Sequence, residues 1–159
     1  MAAQQETGIN VKEVVREALE EHGTKEEELI PILTTVNQKI GYIPKEAMVQ
    51  ISDAMKISQS QLHSVASFYR MLFTKPVGRH VIKFCESAPC HVSGGRQVWN
   101  RLREELKLEP GQTSPDGRWT LVTVSCLGVC SVGPVVLIDD DIYGNLSPDQ
   151  LPDILAKYA

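Results

Sequence analysis

Apolar positions in the first half of the chain recur at helical spacing. Val11, Val14, Val15, Ala18 and Leu19 fall on one face, and His22-Gly23 closes that helix. Thr24-Lys25-Glu26-Glu27 has the form of a capping box, with Thr24 able to cap and Glu27 able to reach back. Leu29, Ile32, Leu33, Val36 and Ile40 make the next apolar stripe. Gly41 and Pro44 end it and begin a short third helix. Ser58-Gln59-Ser60-Gln61 repeats the capping pattern and opens a helix with Leu62, Val65, Ala66, Tyr69 and Phe73 toward one side. Pro76 and Gly78 close the region. The pattern predicts a helical domain over residues 1–78.

From residue 79 the periodicity changes. His80 to Phe84 predicts a strand that runs into Cys85. Val92 to Leu106 predicts a helix with Val98, Trp99, Leu102 and Leu106 inward, and Glu109 to Gly117 a turn-rich loop. Trp119 to Val124 is β-branched and apolar, a strand leading to Cys126. The unbroken apolar run from Val135 to Ile138 suits a strand buried on both faces. Asp140 to Leu146 predicts a turn and a short edge strand. Ser147-Pro148-Asp149-Gln150 caps a last helix carrying Leu151, Ile154, Leu155 and Tyr158. This order of elements predicts an α/β layer over residues 79–159, so the whole reads as two domains of α/β (α+β) class.

Composition narrows the function. The chain has 159 residues, 42% hydrophobic and 23% charged, and a net charge of -4, which excludes a nucleic-acid or anionic-membrane binder driven by charge. Its longest apolar run is far too short to span a bilayer. The opening Met-Ala-Ala-Gln-Gln-Glu-Thr lacks the regions of a signal peptide. The expectation is a cytoplasmic protein with no direct membrane insertion. In a reducing compartment its four cysteines are metal ligands or redox groups rather than structural disulfides.

Those cysteines form two pairs. Cys85 and Cys90 enclose four residues, and Cys126 and Cys130 enclose three. Each pair follows a predicted strand. In a parallel arrangement the carboxyl ends of strands share one edge of a sheet, where the pairs can converge. Four thiolates suit tetrahedral zinc or an iron–sulfur cluster. Structural zinc usually uses tighter two-residue knuckles, whereas each wider pair need grip only its own iron of a 2Fe-2S cluster. Gly128 and Gly133 are expected to bring backbone N–H groups to sulfur, and Ser93, Gly94 and Gly95 to open a helix whose positive end faces the site. Zinc and thiol redox chemistry stay open on spacing alone. Neither pair is the C-x-x-C of thioredoxin-type exchange.

Cys85-Glu-Ser-Ala-Pro-Cys90 and Cys126-Leu-Gly-Val-Cys130-Ser-Val-Gly-Pro, with Gly41-Tyr42-Ile43-Pro44 and Phe68-Tyr69 upstream, resemble the thioredoxin-like 2Fe-2S subunit of NADH dehydrogenases. This is the small E subunit of respiratory complex I, and the matching subunit of soluble NAD-linked hydrogenases and formate dehydrogenases. The resemblance covers residue 10 to the C-terminus and implies a helical bundle followed by a thioredoxin-like domain. It implies Cys85, Cys90, Cys126 and Cys130 as the ligands of one 2Fe-2S cluster. It also implies a larger partner subunit that holds FMN, an iron–sulfur cluster and the NAD(P)H site, with further hydrogenase, formate dehydrogenase or complex I subunits beyond it. NADH delivers two electrons as a hydride, a flavin can release them singly, and a cluster takes one. The chain carries no dinucleotide fingerprint of its own, so the expected role is a non-catalytic electron-transfer subunit, inactive alone. Gly133-Pro134-Val135-Val136 and Ile142-Tyr143-Gly144-Asn145-Leu146 look more like the soluble hydrogenase branch than complex I. A contrasting reading is a zinc-stabilised interaction module.

Other residues take plainer readings. The histidines His22, His63, His80 and His91 invite a ligand reading; His91, beside Cys90, is read as a partly exposed side chain near a helix start rather than a group that tunes the cluster, and His63 as a helix-surface or interface residue. Phe68, Tyr69 and Met71 are read as packing in the bundle. Asp139-Asp140-Asp141 is read as a solvated turn without calcium-loop spacing. Arg96, Arg101 and Arg103 form a basic patch too small for nucleic acid and suited to an acidic protein surface. Gly133-Pro134 stands where thioredoxin-like folds often hold a cis proline, with cis and trans both open.

Overall fold

The structure is a computed structural model that describes residues 10–158. The leader reading of the first seven residues falls outside them. The chain divides into two compact units, Met1–Pro76 and Val77–Ala159.

The first unit is built from helices. In α1 (Val11–His22), Asn10 caps the start by accepting from the Lys12 N–H at 3.2 Å. Its apolar stripe packs on α2 (Leu29–Ile40) and α3 (Lys45–Met55), and α4 (Gln59–Phe68) closes the bundle. Ala18, Ile32, Leu33, Val36, Ile51 and Leu62 have no exposed surface. Each large one of these contributes about 1.5–3 kcal/mol by leaving water.

Two helix ends differ from expectation. No side chain caps the segment after Gly23; Glu26–Glu28 form a 3-10 turn, and α2 starts only at Leu29. Pro31 has no N–H and fits only a first helical turn, so it sets where α2 begins and overrides the Thr24 box. At α4, the Gln61 N–H does bond Ser58 Oγ at 3.2 Å, but the Gln61 amide reaches Glu26 rather than folding back. The helix also stops at Phe68 instead of continuing to Phe73. Asn37 Oδ1 accepts from the Phe73 N–H at 2.8 Å, and the Phe73 carbonyl takes the Ile43 N–H at 2.7 Å. Those long-range bonds satisfy backbone that a longer helix would have satisfied internally.

The second unit is a five-stranded mixed sheet in the order β2-β3-β1-β4-β5. Its centre is β1 (His80–Cys85), followed by a short turn α5 (Ala88–Cys90) and by α6 (Arg96–Leu106). Then come β2 (Gln112–Thr113), β3 (Trp119–Val124), β4 (Val136–Ile138), β5 (Asp141–Tyr143) and α7 (Leu151–Ala156). β1 runs parallel to β3, with Cys85 level with Val124, and antiparallel to β4. Ile82, Leu121, Val136 and Ile138 form a core with Val98 and Leu102 of α6 and Leu151 of α7. The capping box at Ser147 forms as expected, with Ser147 N–H donating to Gln150 Oε1 at 2.9 Å. The two-residue β2 lies inside the stretch read as loop.

The helix expected over 92–106 is broken. A π turn covers His91–Gly95, and Gly94 at φ 101 kinks it before α6 proper. Among the described residues no helix is long and apolar enough to cross a membrane.

Candidate metal centre

The parallel pairing of β1 and β3 decides where the cysteines go. Both strands end at the same edge, so both cysteine loops leave from that edge. Cys85 is the last residue of β1 and Cys90 ends the α5 turn; they are 2% and 1% exposed. Cys126 and Cys130 lie on the loop after β3 and are exposed. All four are free thiols, and together with Leu127, Gly128, Val129 and Val135 they line one narrow cleft.

Two backbone bonds draw the loops together. Cys85 N–H donates to the Val135 carbonyl at 3.2 Å, and Glu86 N–H to the Val124 carbonyl at 2.9 Å. Cys126 Sγ stands 3.7 Å from Cys130 Sγ, and Cys85 lies near enough to influence the ionisation of Cys90, Cys126 and Cys130. Two thiolates on one tetrahedral metal at about 2.3 Å would stand about 3.8 Å apart, so the Cys126–Cys130 pair already has a chelating separation. Among the described residues no group of three or more Cys, His, Asp or Glu side chains is disposed to hold a single metal ion.

Local electrostatics favour the anionic form of Cys126. Gly128, at φ 82, turns its N–H onto Cys126 Sγ at 3.3 Å. That bond, with help from Cys130 and the Ser87 hydroxyl, lowers the Cys126 pKa. Cys130 is raised, first by its bond to Cys126. Burial, then the bond to Cys85, pushes Cys90 up to about 11, against an opposing donor at the Val135 backbone. A buried thiol pair beside an exposed one, with N–H and O–H donors at sulfur, fits a two-iron, two-sulfide group better than a lone ion.

Several expectations are corrected here. Gly133 gives its N–H to the Cys130 carbonyl at 3.2 Å, not to sulfur, although it does pass close to Cys90. Cys90 precedes the kink, so the start of α6 at Arg96 is separated from it by the π turn. The Gly133–Pro134 bond, for which the sequence left both isomers open, is cis, so no expectation is overturned there. Phe68 and Met71 are 78% and 62% exposed rather than packed, because α4 ends at Phe68 and it is Tyr69 that packs against the core. Arg101 and Arg103 pair with Glu105 and Glu109 instead of forming a free basic patch.

The histidines stay out of the site. His22 bonds Thr35, and His80 Nδ1 lies 2.6 Å from Asp139 Oδ2 at the start of β1, the far end of the strand from Cys85. His63 and His91 are exposed. Asp139 also takes the Val81 N–H at 2.8 Å, so the acidic run is partly structural. Two contributors escaped the sequence reading: the Val135 N–H and Ser87. The signal for Ser87 was its place two residues past a strand-end cysteine.

Comparison with known proteins follows the same lines. The profile of thioredoxin-like 2Fe-2S ferredoxins matches residues 15–159. The E subunit of NADH-quinone oxidoreductase from Salmonella typhimurium is 40% identical over 129 residues, 81% of this chain and 78% of that protein. The HndA subunit of the NADP-reducing hydrogenase from Solidesulfovibrio fructosivorans is 34% identical over 134 residues, 84% of this chain and 78% of that one. Among solved structures, an air-oxidised NAD+-reducing NiFe-hydrogenase superposes with a TM-score of 0.70 at 24% identity. It covers 82% of this chain but only 22% of the longer hydrogenase chain, and is a likeness of fold.

Proposed function

Because the chain belongs to the thioredoxin-like 2Fe-2S ferredoxin family, we propose that it is a one-electron carrier subunit of a multi-subunit, flavin-dependent NAD(P)H oxidoreductase. Residues 1–78 form a helical bundle domain and residues 79–159 a thioredoxin-like domain that carries the cofactor. Cys85 and Cys90 hold one iron of a 2Fe-2S cluster, and Cys126 and Cys130 hold the other. When bound, the cluster supplies one-electron storage and release. The protein's own part is to keep Cys85 and Cys90 away from water, leave Cys126 and Cys130 near the surface, and aim hydrogen-bond donors at sulfur. The observation that carries this reading is the convergence of four free thiols at one sheet edge, with one pair already at a chelating 3.7 Å.

The chain does no chemistry alone in this reading. Its partner is a larger subunit bearing FMN, an iron–sulfur cluster and the NAD(P)H site, in the cytoplasm. The likeness to HndA supports a soluble hydrogenase as the parent complex. A second reading, the E subunit of complex I, is favoured by the higher 40% identity to its counterpart in NADH-quinone oxidoreductase. Anaerobic purification tests the cofactor. Two irons and two sulfides per chain, and a single-spin EPR signal after one-electron reduction, are expected. A colourless protein with one zinc overturns the reading. Co-purification from the native source separates the two parent complexes.

A further inference from the structure

Ser87 sits at the N-cap position of α5, where a serine ordinarily bonds the helix's own N–H groups, yet its side chain makes no such bond. Its carbonyl does take the His91 N–H at 3.0 Å, so the backbone is fixed while the hydroxyl is left for another partner. The strand register says which. Cys85 is level with Val124, and Glu86 N–H bonds the Val124 carbonyl at 2.9 Å. Carrying that parallel register two residues further brings Ser87 level with Cys126, on the same side of the sheet. Cys85 Sγ lies 3.9 Å from the Ser125 carbonyl, which shows the two loops still side by side beyond the strands.

We infer that Ser87 is a positioning residue for the cluster: its hydroxyl donates across the two loops to Cys126 Sγ and helps to set the reduction potential. The inference rests on the reading of Cys126 as a cluster ligand. An O–H donor at Cys126 Sγ would act there together with the Gly128 N–H, which lies 3.3 Å from the same sulfur. One-electron reduction adds a negative charge to the group and breaks no bond. Donors to sulfur therefore stabilise the reduced state more than the oxidised one. On Cys126 the hydroxyl joins the Gly128 N–H, which donates to the same sulfur at 3.3 Å, so the effect falls on the exposed pair.

The test compares the full-length protein with Ser87→Ala and Ser87→Thr, each loaded with cluster anaerobically and titrated with EPR detection. Only molecules that hold cluster give signal, so incomplete loading does not blur the potential. Ser87→Ala is expected to shift the reduction equilibrium about tenfold toward the oxidised form, about 59 mV for one electron. Ser87→Thr, which keeps the hydroxyl, is expected to stay within threefold of wild type. The iron–thiolate stretches in resonance Raman spectra should change in Ser87→Ala and not in Ser87→Thr. If Ser87→Ala alone fails to hold cluster while Ser87→Thr holds it at the wild-type potential, the hydroxyl is again the group that matters. A Ser87→Ala potential within twofold of wild type overturns the inference, as does a threonine variant that shifts as far as the alanine one or loses the cluster with it. A wild-type chain that binds no cluster removes the ligand assignment itself. A normal cluster with an unmoved Ser87→Ala potential removes only the role of Ser87.

Discussion

Replacing Gly95 by alanine tests how tightly the first cysteine loop is built. At φ -56 and ψ -29, Gly95 has ordinary right-handed helical backbone, so nothing in its dihedrals calls for glycine. On intrinsic grounds alanine should stabilise: it is about 1 kcal/mol the better helix former, and it restricts the unfolded chain. The packing points the other way. A Cβ at this buried position would stand 2.6 Å from the Cys90 carbonyl oxygen and 3.0 Å from its carbon, with Phe84 3.6 Å behind. The obstructing atoms are backbone in a π turn, so no side-chain rotation relieves them. Overpacking of this kind costs typically about 1–3 kcal/mol. A 2.6 Å approach to backbone puts the cost in the upper part of that range, about 2–3 kcal/mol, and subtracting the intrinsic gain of about 1 kcal/mol leaves a net loss of about 1–2 kcal/mol. For a unit of this size each kcal/mol lowers the midpoint by roughly 4–8 °C. Thermal unfolding by circular dichroism, with iron content measured alongside, reads both consequences. The Gly95→Ala chain should melt lower and hold less iron, because the strain is relieved by moving Cys90. A midpoint at or above wild type with full iron would refute the close approach and the argument built on it.

Two further outcomes follow from the thiols. Cys90→Ser should lose most of its iron and sulfide while keeping the circular dichroism of the helical unit, since no helix of residues 11–68 depends on that side chain; full occupancy would remove Cys90 from the ligand set. In metal-free protein, iodoacetamide should reach Cys126 first. The Gly128 N–H lowers its pKa, so more thiolate is present at pH 7–8, whereas Cys90 ionises only as pH nears about 11. Peptide mass spectrometry that finds Cys90 modified as fast as Cys126 at pH 8 would contradict the asymmetry.

Much of the site was legible because cysteine spacing and strand ends are both local features of a sequence. Cys85 and Cys126 each follow an apolar run, and a parallel sheet needs nothing more to bring them to one edge. The stripes of α1 and α2 were equally plain. What escaped was settled by distant partners. The end of α4 is set by Asn37 and Ile43, which capture Phe73 from across the unit. The Thr24 box lost to a proline seven residues later. The break at Gly94, at φ 101, lies inside a π turn that helical spacing alone does not reveal, and the aim of Ser87 needed the strand register. At α4 and at Ser87 a nonlocal contact outweighed a local preference, whereas at Thr24 one local restriction outweighed another.

The side-by-side course of β1 and β3 has a consequence for how the protein matures. Neither cysteine pair meets the other until residues 119–124 have been laid beside 80–85. During synthesis that moment comes only after most of the chain has left the ribosome. A carrier that delivers iron earlier finds two lone thiols and nowhere to leave a paired metal. With all four cysteines as the proposed ligands, loading would be a late event and metal content a gauge of whether the sheet was completed: a fragment ending before Trp119 would keep Cys85 and Cys90 and have no home for the cluster.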